Sequence, residues 1–426
     1  MAKILISALG AGKSNREYPT TKYKIDELIY EESFIGNALT KHFKIDKNIV
    51  IGTKKSLWEE LYIVASKRLN IQENEEFYLE LFDNIQKGQI NESHIEKLEN
   101  MLEDKYKGII IEYGLTNIEL MTNFELLMTI TDTLENGDEL YIDITNSFRS
   151  LSLYMFIVLS YLKGVSNKNI KIAYISYGMF EAKEENDGIT PVVNLNLLYE
   201  AIEWIKAASD FKKFANSFEL TQLLPEEHKK SGEKLNDFTY ALNLSYVNDL
   251  KKQINILYEA NNEFEKIQGF GKFIIPPVVN DIVNRFKKYK DTKKESIFLL
   301  TASKLFYDKN LYSGAYIFLQ EAVVVYFLEL YNIKEKKISV NEAKYYRGEI
   351  KQALSNRNFD NDPDFVKLSN LFTRLTEIRN ALAHAIDIYQ SPSIGTTNYA
   401  KDFEKKYFIP LKELLNKNKD YEIIKK

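Results

Sequence analysis

Five short apolar runs, separated by helical patterns, constrain the first half of this chain more than any other feature. They lie at residues 3–9, 48–51, 108–113, 139–144 and 170–177, and Ile and Val dominate their apolar positions. Apolar residues run through them without strict alternation, which marks strands covered on both faces. Helical patterns at 56–65, 117–134 and 148–162 separate them. Strands alternating with helices predict a mostly parallel, doubly wound sheet whose ligand crevice lies at the C-terminal strand ends. The polar, acidic stretch 71–107 reads as a helical insertion.

From about residue 196 the strand signals fade. Helical patterns follow at 197–218, 237–267, 291–307, 313–331, 340–354 and 364–385, and Ile275-Pro276-Pro277 is expected to break the series. The expected fold class is therefore α/β plus all-α, with domains 1–200 and 201–426. A chain of 426 residues exceeds one ordinary core, so two domains fit its length as well.

Composition narrows the function. The 57 Lys and Arg nearly balance the 61 Asp and Glu. A local site, not a global field, would have to carry any nucleic-acid role. With no cysteine, disulfides and thiolate metal sites are excluded and a reducing setting is expected. The start MAKILISALGAGKS is too short in apolar residues for a signal core, and the apolar runs 151–162 and 315–331 are interrupted by polar residues. A cytoplasmic location without membrane partners is expected.

Two loops fall at C-terminal strand ends. The first holds Leu9, Gly10, Ala11, Gly12, Lys13 and Ser14. A Walker loop would need glycine at Ser7 and a helix beginning at Lys13-Ser14, whereas Asn15-Arg16-Glu17-Tyr18-Pro19 is poor helix sequence. A glycine turn that meets a phosphate or ribose suits it better than an NTPase. The second loop runs Asp143-Ile144-Thr145-Asn146-Ser147-Phe148-Arg149-Ser150. It offers hydroxyls, an amide, backbone N–H groups and an arginine at a helix start, either for a ligand or simply as a capped turn.

The chain has four histidines, and one of them, His384, ends a helical pattern that also carries Arg379 and Asn380. Asn380 and His384, four apart, share a helical face, with Arg379 about 100° round from Asn380. Guanidinium, amide and imidazole together suit phosphodiester cleavage, although a lone histidine at a helix end also serves as a dipole partner.

These segments resemble a known family. The stretch 143–150 is similar to the "D-I-T-H-G-F-R-S" motif of CARF domains in CRISPR-associated proteins, departing at Asn146 and Ser147. The segments 9–12, 52–58, 177–182, 190–193 and 204–211 fit the same family. The helical half, with 308–315, Gln320-Glu321-Ala322 and Arg379-Asn380 to His384, resembles a HEPN ribonuclease domain.

The resemblance implies an ancillary endoribonuclease of type III CRISPR immunity. Leu9 to Ser14 and Thr145, Asn146, Ser147, Phe148, Arg149 and Ser150 would line a cyclic oligoadenylate site. Arg379, Asn380 and His384 would cut single-stranded RNA as a homodimer. No metal or cofactor is expected. The favoured activator is cyclic tetra-adenylate, with cyclic hexa-adenylate next, and Asn146 and Ser147 put ring cleavage in question. A ring-binding regulator or silent scaffold is the alternative, and no basic DNA-reading helix stands out in the second half.

Overall fold

The computed structural model describes residues 1–11, 20–146, 149–355, 362–384, 396–421 and 423. They form two compact units, Met1–Glu200 and Ala201–Lys426.

The first unit is built on an eight-stranded sheet ordered β3-β2-β8-β7-β6-β1-β4-β5. Its strands are β1 (Lys3–Ala8), β2 (Thr21–Ile25), β3 (Leu28–Glu32), β4 (Lys47–Gly52), β5 (Tyr106–Ile110), β6 (Glu139–Asp143), β7 (Lys171–Gly178) and β8 (Ile189–Asn194). The helices are α1 (Ile35–Phe43), α2 (Trp58–Leu69), α3 (Glu75–Lys87), α4 (Glu92–Met101), α5 (Asn117–Thr133) and α6 (Arg149–Gly164). β1 pairs in parallel with both β4 and β6, and β4–β5 and β6–β7 are also parallel. These five strands correspond to the five apolar runs.

Alternate residues of β1 face two different cores. Ile4, Ile6 and Ala8 pack with Leu127 and Ile130 of α5 and Met155 and Leu159 of α6. Leu5 packs with Ile35, Ala38 and Leu39 of α1. Both faces of the central strand are thus covered by helices, as its unbroken apolar run requires.

The sequence reading missed one part of the sheet. β2 and β3 form an antiparallel hairpin, β2 runs parallel to β8, and β8 runs antiparallel to β7. β2 alternates buried and exposed residues with lysines outward. At five residues, such a strand carries too little apolar signal to separate from a loop.

The second unit is helical. It comprises the part of α7 (Asn196–Phe214) beyond Glu200, then α8 (Phe218–Gln222), α9 (Lys229–Asn243), α10 (Val247–Glu259), α11 (Asn261–Phe264), α12 (Gly271–Arg285) and α13 (Lys287–Thr292). There follow α14 (Glu295–Asp308), α15 (Tyr312–Leu330), α16 (Val340–Ser355), α17 (Pro363–His384), α18 (Thr396–Asp402) and α19 (Ile409–Asn416). The expected break at Ile275-Pro276-Pro277 does not occur, because both prolines lie inside α12. Ile275 and Val279, fully buried on either side of them, hold the helix against the core despite the lost backbone donors.

α15 is the central helix. Its length and composition would suit a membrane span, yet Tyr316, Phe318, Leu319, Val323 and Phe327 are fully buried within the unit. α14 meets it at Gly314, where a Cβ would overlap the ring of Phe306. Beside this contact Ser303 Oγ donates to the Ala315 carbonyl at 2.8 Å. We predict that Gly314→Ala destabilises the protein by about 1–3 kcal/mol through overpacking. An unchanged urea midpoint would show that the two helices can separate freely.

Candidate ligand crevice and helical site

The parallel strands appear in the order β5-β4-β1-β6-β7, so the winding direction reverses between β1 and β6. Chains leaving adjacent strands in opposite directions open a crevice at the C-terminal ends. The loop after β1 begins with Leu9, Gly10 and Ala11, and the loop after β6 with Ile144, Thr145 and Asn146. Both sequence-derived loops therefore flank the switch point. Gly12, Lys13, Ser14, Ser147 and Phe148 lie outside the described residues, as does the side chain of Arg149. The first described element after β1 is a strand, β2, so the described residues contain no strand–loop–helix Walker arrangement.

The first loop is braced from β4. Leu9 N–H donates to the Ile51 carbonyl at 2.8 Å, and Leu57 N–H to the Gly10 carbonyl at 3.1 Å. Ser56 Oγ donates to the Leu9 carbonyl at 2.8 Å. Trp58 closes the brace through Nε1 to the Thr53 carbonyl at 2.9 Å. Gly52 is required here, because a Cβ would stand 2.6 Å from the Trp58 ring. Leu9 is buried and holds the turn in place, while Ala11 is exposed.

Across the crevice, Asp143 organises the second loop. Its Oδ1 accepts the Thr145 hydroxyl at 2.5 Å, the Thr145 N–H at 3.3 Å and the Ser176 hydroxyl at 3.2 Å. Thr145 Oγ1 in turn accepts Gly178 N–H at 2.7 Å. The Thr145 hydroxyl thus fastens the end of β6 to the end of β7. Asn146, the next residue, lines a small cavity of about 20 Å³ with Ser7, Leu9 and Asn37. That volume suits one water molecule, so a larger ligand must sit over the loops. Ser150 is half-buried near the start of α6.

Asp143 is buried, and its Oδ2 has no hydrogen-bond partner among the described residues. Burial raises its pKa to about 6, opposed by the Thr145 and Ser176 hydrogen bonds. The sequence reading of this stretch as a ligand loop or a capped turn gave no sign of that oxygen.

In the second unit, Leu368, Phe372, Leu375 and Ile378 of α17 are buried, and Arg379 and Asn380 flank this face. Two neighbouring residues of α15 set the surroundings. Gln320 Nε2 donates to Thr376 Oγ1 at 2.7 Å, and that hydroxyl donates to the Phe372 carbonyl at 2.9 Å, fixing α17 against α15. Glu321 forms an ion pair with Arg347 of α16.

Arg379 Nη1 donates to Asn380 Oδ1 at 3.1 Å. Arg379 Nε is buried and finds no acceptor among the described residues. His384 is the last residue of α17, and its side chain lies outside the described ones. A cavity of about 870 Å³ in this unit is lined by residues of α14 and of the C-terminal helices, and neither Arg379 nor Asn380 lines it.

The raised pKa of Asp143 has a testable sign. Between the unfolded value near 4 and about 6, the folded state binds the extra proton, so stability falls as pH rises and then levels off. Asp143→Asn should remove this fall, gaining roughly 1 kcal/mol relative to wild type between pH 5 and pH 8. A wild-type-to-variant difference in urea midpoint that is the same at both pH values would contradict the assignment.

Comparison with known proteins agrees with this layout. Residues 4–181 match the family described as the CARF domain of the CRISPR system endoribonuclease Csx1. Residues 200–295 match the second domain of the CRISPR-associated protein MJ1674. That protein, from Methanocaldococcus jannaschii, is 31% identical over 414 residues, covering 90% of this chain. The chain in turn spans 62% of the length of that relative. Enterococcus italicus Csm6 bound to cyclic hexa-2'-fluoro-hexa-dAMP aligns with 100% of this chain and 95% of its own, at 12% identity and a TM-score of 0.36, a likeness from which nothing further is drawn. The switch-point crevice thus lies within the segment 4–181 that is similar to the Csx1 CARF domain, and the chain as a whole is similar to the CRISPR-associated protein MJ1674.

Proposed function

We propose that this chain is a metal-independent endoribonuclease of type III CRISPR defence, switched on by a cyclic oligoadenylate. The observation that carries the nuclease reading is Arg379. It is a half-buried guanidinium whose Nε lacks an acceptor among the described residues, beside an exposed amide and five residues before a histidine on one helix. A guanidinium held with unused donors suits the non-bridging oxygens of a phosphodiester.

RNA supplies its own nucleophile, the 2′-hydroxyl. Attack on the adjacent phosphorus forms the P–O2′ bond and breaks the P–O5′ bond, leaving 2′,3′-cyclic phosphate and 5′-hydroxyl ends. His384 transfers protons, because imidazole titrates near neutrality. Arg379 offsets charge on the phosphorane, and Asn380 orients the guanidinium to which it is hydrogen-bonded. One imidazole per chain is short of an acid and a base, so two copies of α17 meeting on a two-fold axis complete the site.

Ring binding is assigned to the crevice between β1 and β6. Leu9, Gly10, Ala11, Thr145, Asn146 and Ser150 flank it, and the reading extends the ring site to Gly12, Lys13, Ser14, Ser147, Phe148 and Arg149. A two-fold ring spanning two such crevices favours one arrangement of the dimer over another and so biases the spacing of the helical sites. Cyclic tetra-adenylate is the first choice and cyclic hexa-adenylate the second. A cytoplasmic site of action fits RNA as substrate.

His384→Ala should lower cleavage of single-stranded RNA by roughly 10²-fold or more, while EDTA leaves wild-type cleavage intact. Intact cleavage by His384→Ala, or its loss in EDTA, would overturn the mechanism.

A further inference from the structure

We propose that the groove between α14 and α19 is a second RNA contact, holding a stretch of single-stranded RNA outside the Arg379 site; the inference rests on the RNA substrate proposed above. The groove is the cavity of about 870 Å³, which the mechanism does not use. One wall is a single face of α14, on which Ile297, Leu300, Thr301 and Lys304 recur at helical spacing. From Lys294 to Lys304 that wall is about 15 Å long. The opposite wall carries Glu404, Phe408 and Lys412, each four residues from the next. It begins in an unusual element, because Phe403–Phe408 form a π-helical segment that leads into α19. Such wide turns are rare and occur frequently at functional sites. This one contributes Glu404 and Phe408 to the groove.

The two walls are tied together. Lys304 Nζ lies 2.6 Å from Asp308 Oδ1 and 3.1 Å from Glu404 Oε1, bridging α14 to the π-helical segment. Arg285, the last residue of α12, also pairs with Asp308 at 2.6 Å. These two cations therefore brace the groove. The other three that line it, Lys288, Lys294 and Lys412, are exposed, and none forms an ion pair with a described residue. Lys294 stands by one wall and Lys412 on the other, so a phosphate backbone lying between them meets ammonium groups on both sides. Ile297, Leu300 and Phe408 add apolar surface, and the half-buried Tyr326 offers a ring on which a base can stack. A lysine-edged groove with apolar and aromatic surface inside it is how proteins hold single strands without reading sequence. Its volume exceeds what one phosphate group needs and suits a short run of nucleotides.

The test uses the full chain carrying His384→Ala, so that RNA stays whole, and fluorescence anisotropy with a labelled single-stranded RNA across a salt series. Adding Lys288→Ala, Lys294→Ala and Lys412→Ala together should weaken binding about tenfold and flatten the salt dependence by about two units of slope. Glu413→Gln, which removes an exposed carboxylate from the same lining, should tighten binding about twofold. Lys252→Ala, an exposed lysine of α10 outside the groove, should change neither affinity nor slope. Parent-like affinity and slope in the triple-lysine variant, or equal weakening by Lys252→Ala, would overturn this inference and leave the nuclease reading to wild-type cleavage. A parent that binds no RNA would overturn it as well, and only if the wild type also cuts none does the nuclease reading fall with it.

Discussion

Parallel pairing of β1 on both of its edges is the constraint on which the first unit depends. A parallel neighbour needs a crossover, and crossovers are right-handed, so strands added on opposite sides of β1 place their helices on opposite faces. β4 and β5 bring α1 to α4 to one face, and β6 and β7 bring α5 and α6 to the other. The loops after β1 and β6 must then diverge. The crevice follows from chain connectivity, and the residues around it serve mainly to hold its two lips still. Thr53, Ser56 and Trp58 do so for one lip, and Asp143, Thr145 and Gly178 for the other.

The helical unit solves a different problem, that of holding charge at a surface. α15 is apolar for most of its length, and its two adjacent polar residues divide the work. Gln320 fixes α17 through Thr376, and Glu321 holds the cations of α16. These contacts deliver Arg379 and Asn380 at the edge of the buried face of α17, near enough to the core to be rigid and near enough to solvent to meet a ligand. Rigid placement of a donor before charge develops is the electrostatic part of catalysis.

Much of the architecture was legible in the sequence because it rests on period and composition. The five apolar runs became the five parallel strands, and α17 emerged with the apolar face that Leu368, Phe372, Leu375 and Ile378 describe. The hairpin of β2 and β3 was not legible, since its short alternating strands are stabilised by pairing with β8 from far along the chain. The prolines of α12 misled because local rules miss the burial of Ile275 and Val279. The roles of Asp143 and Glu321 were invisible for the same reason. Ser176 and Arg347, with which they interact, are remote in sequence, and no local pattern announces a pair formed by folding. Asn146 and Ser147 stood out only as departures from a motif, and the placement of Asn146 in the crevice wall gives the first of them a physical setting.

The proposed function has a ring-sensing crevice in one unit and a phosphodiester site in the other. The measurement that tests it most directly is cleavage of a single-stranded RNA by the wild-type chain, titrated against linear and cyclic adenylates of increasing size. The account predicts saturable stimulation by one cyclic species, cyclic tetra-adenylate first, with little response to linear forms. Cleavage at the same rate with and without every ring, or no cleavage under any of them, would contradict it.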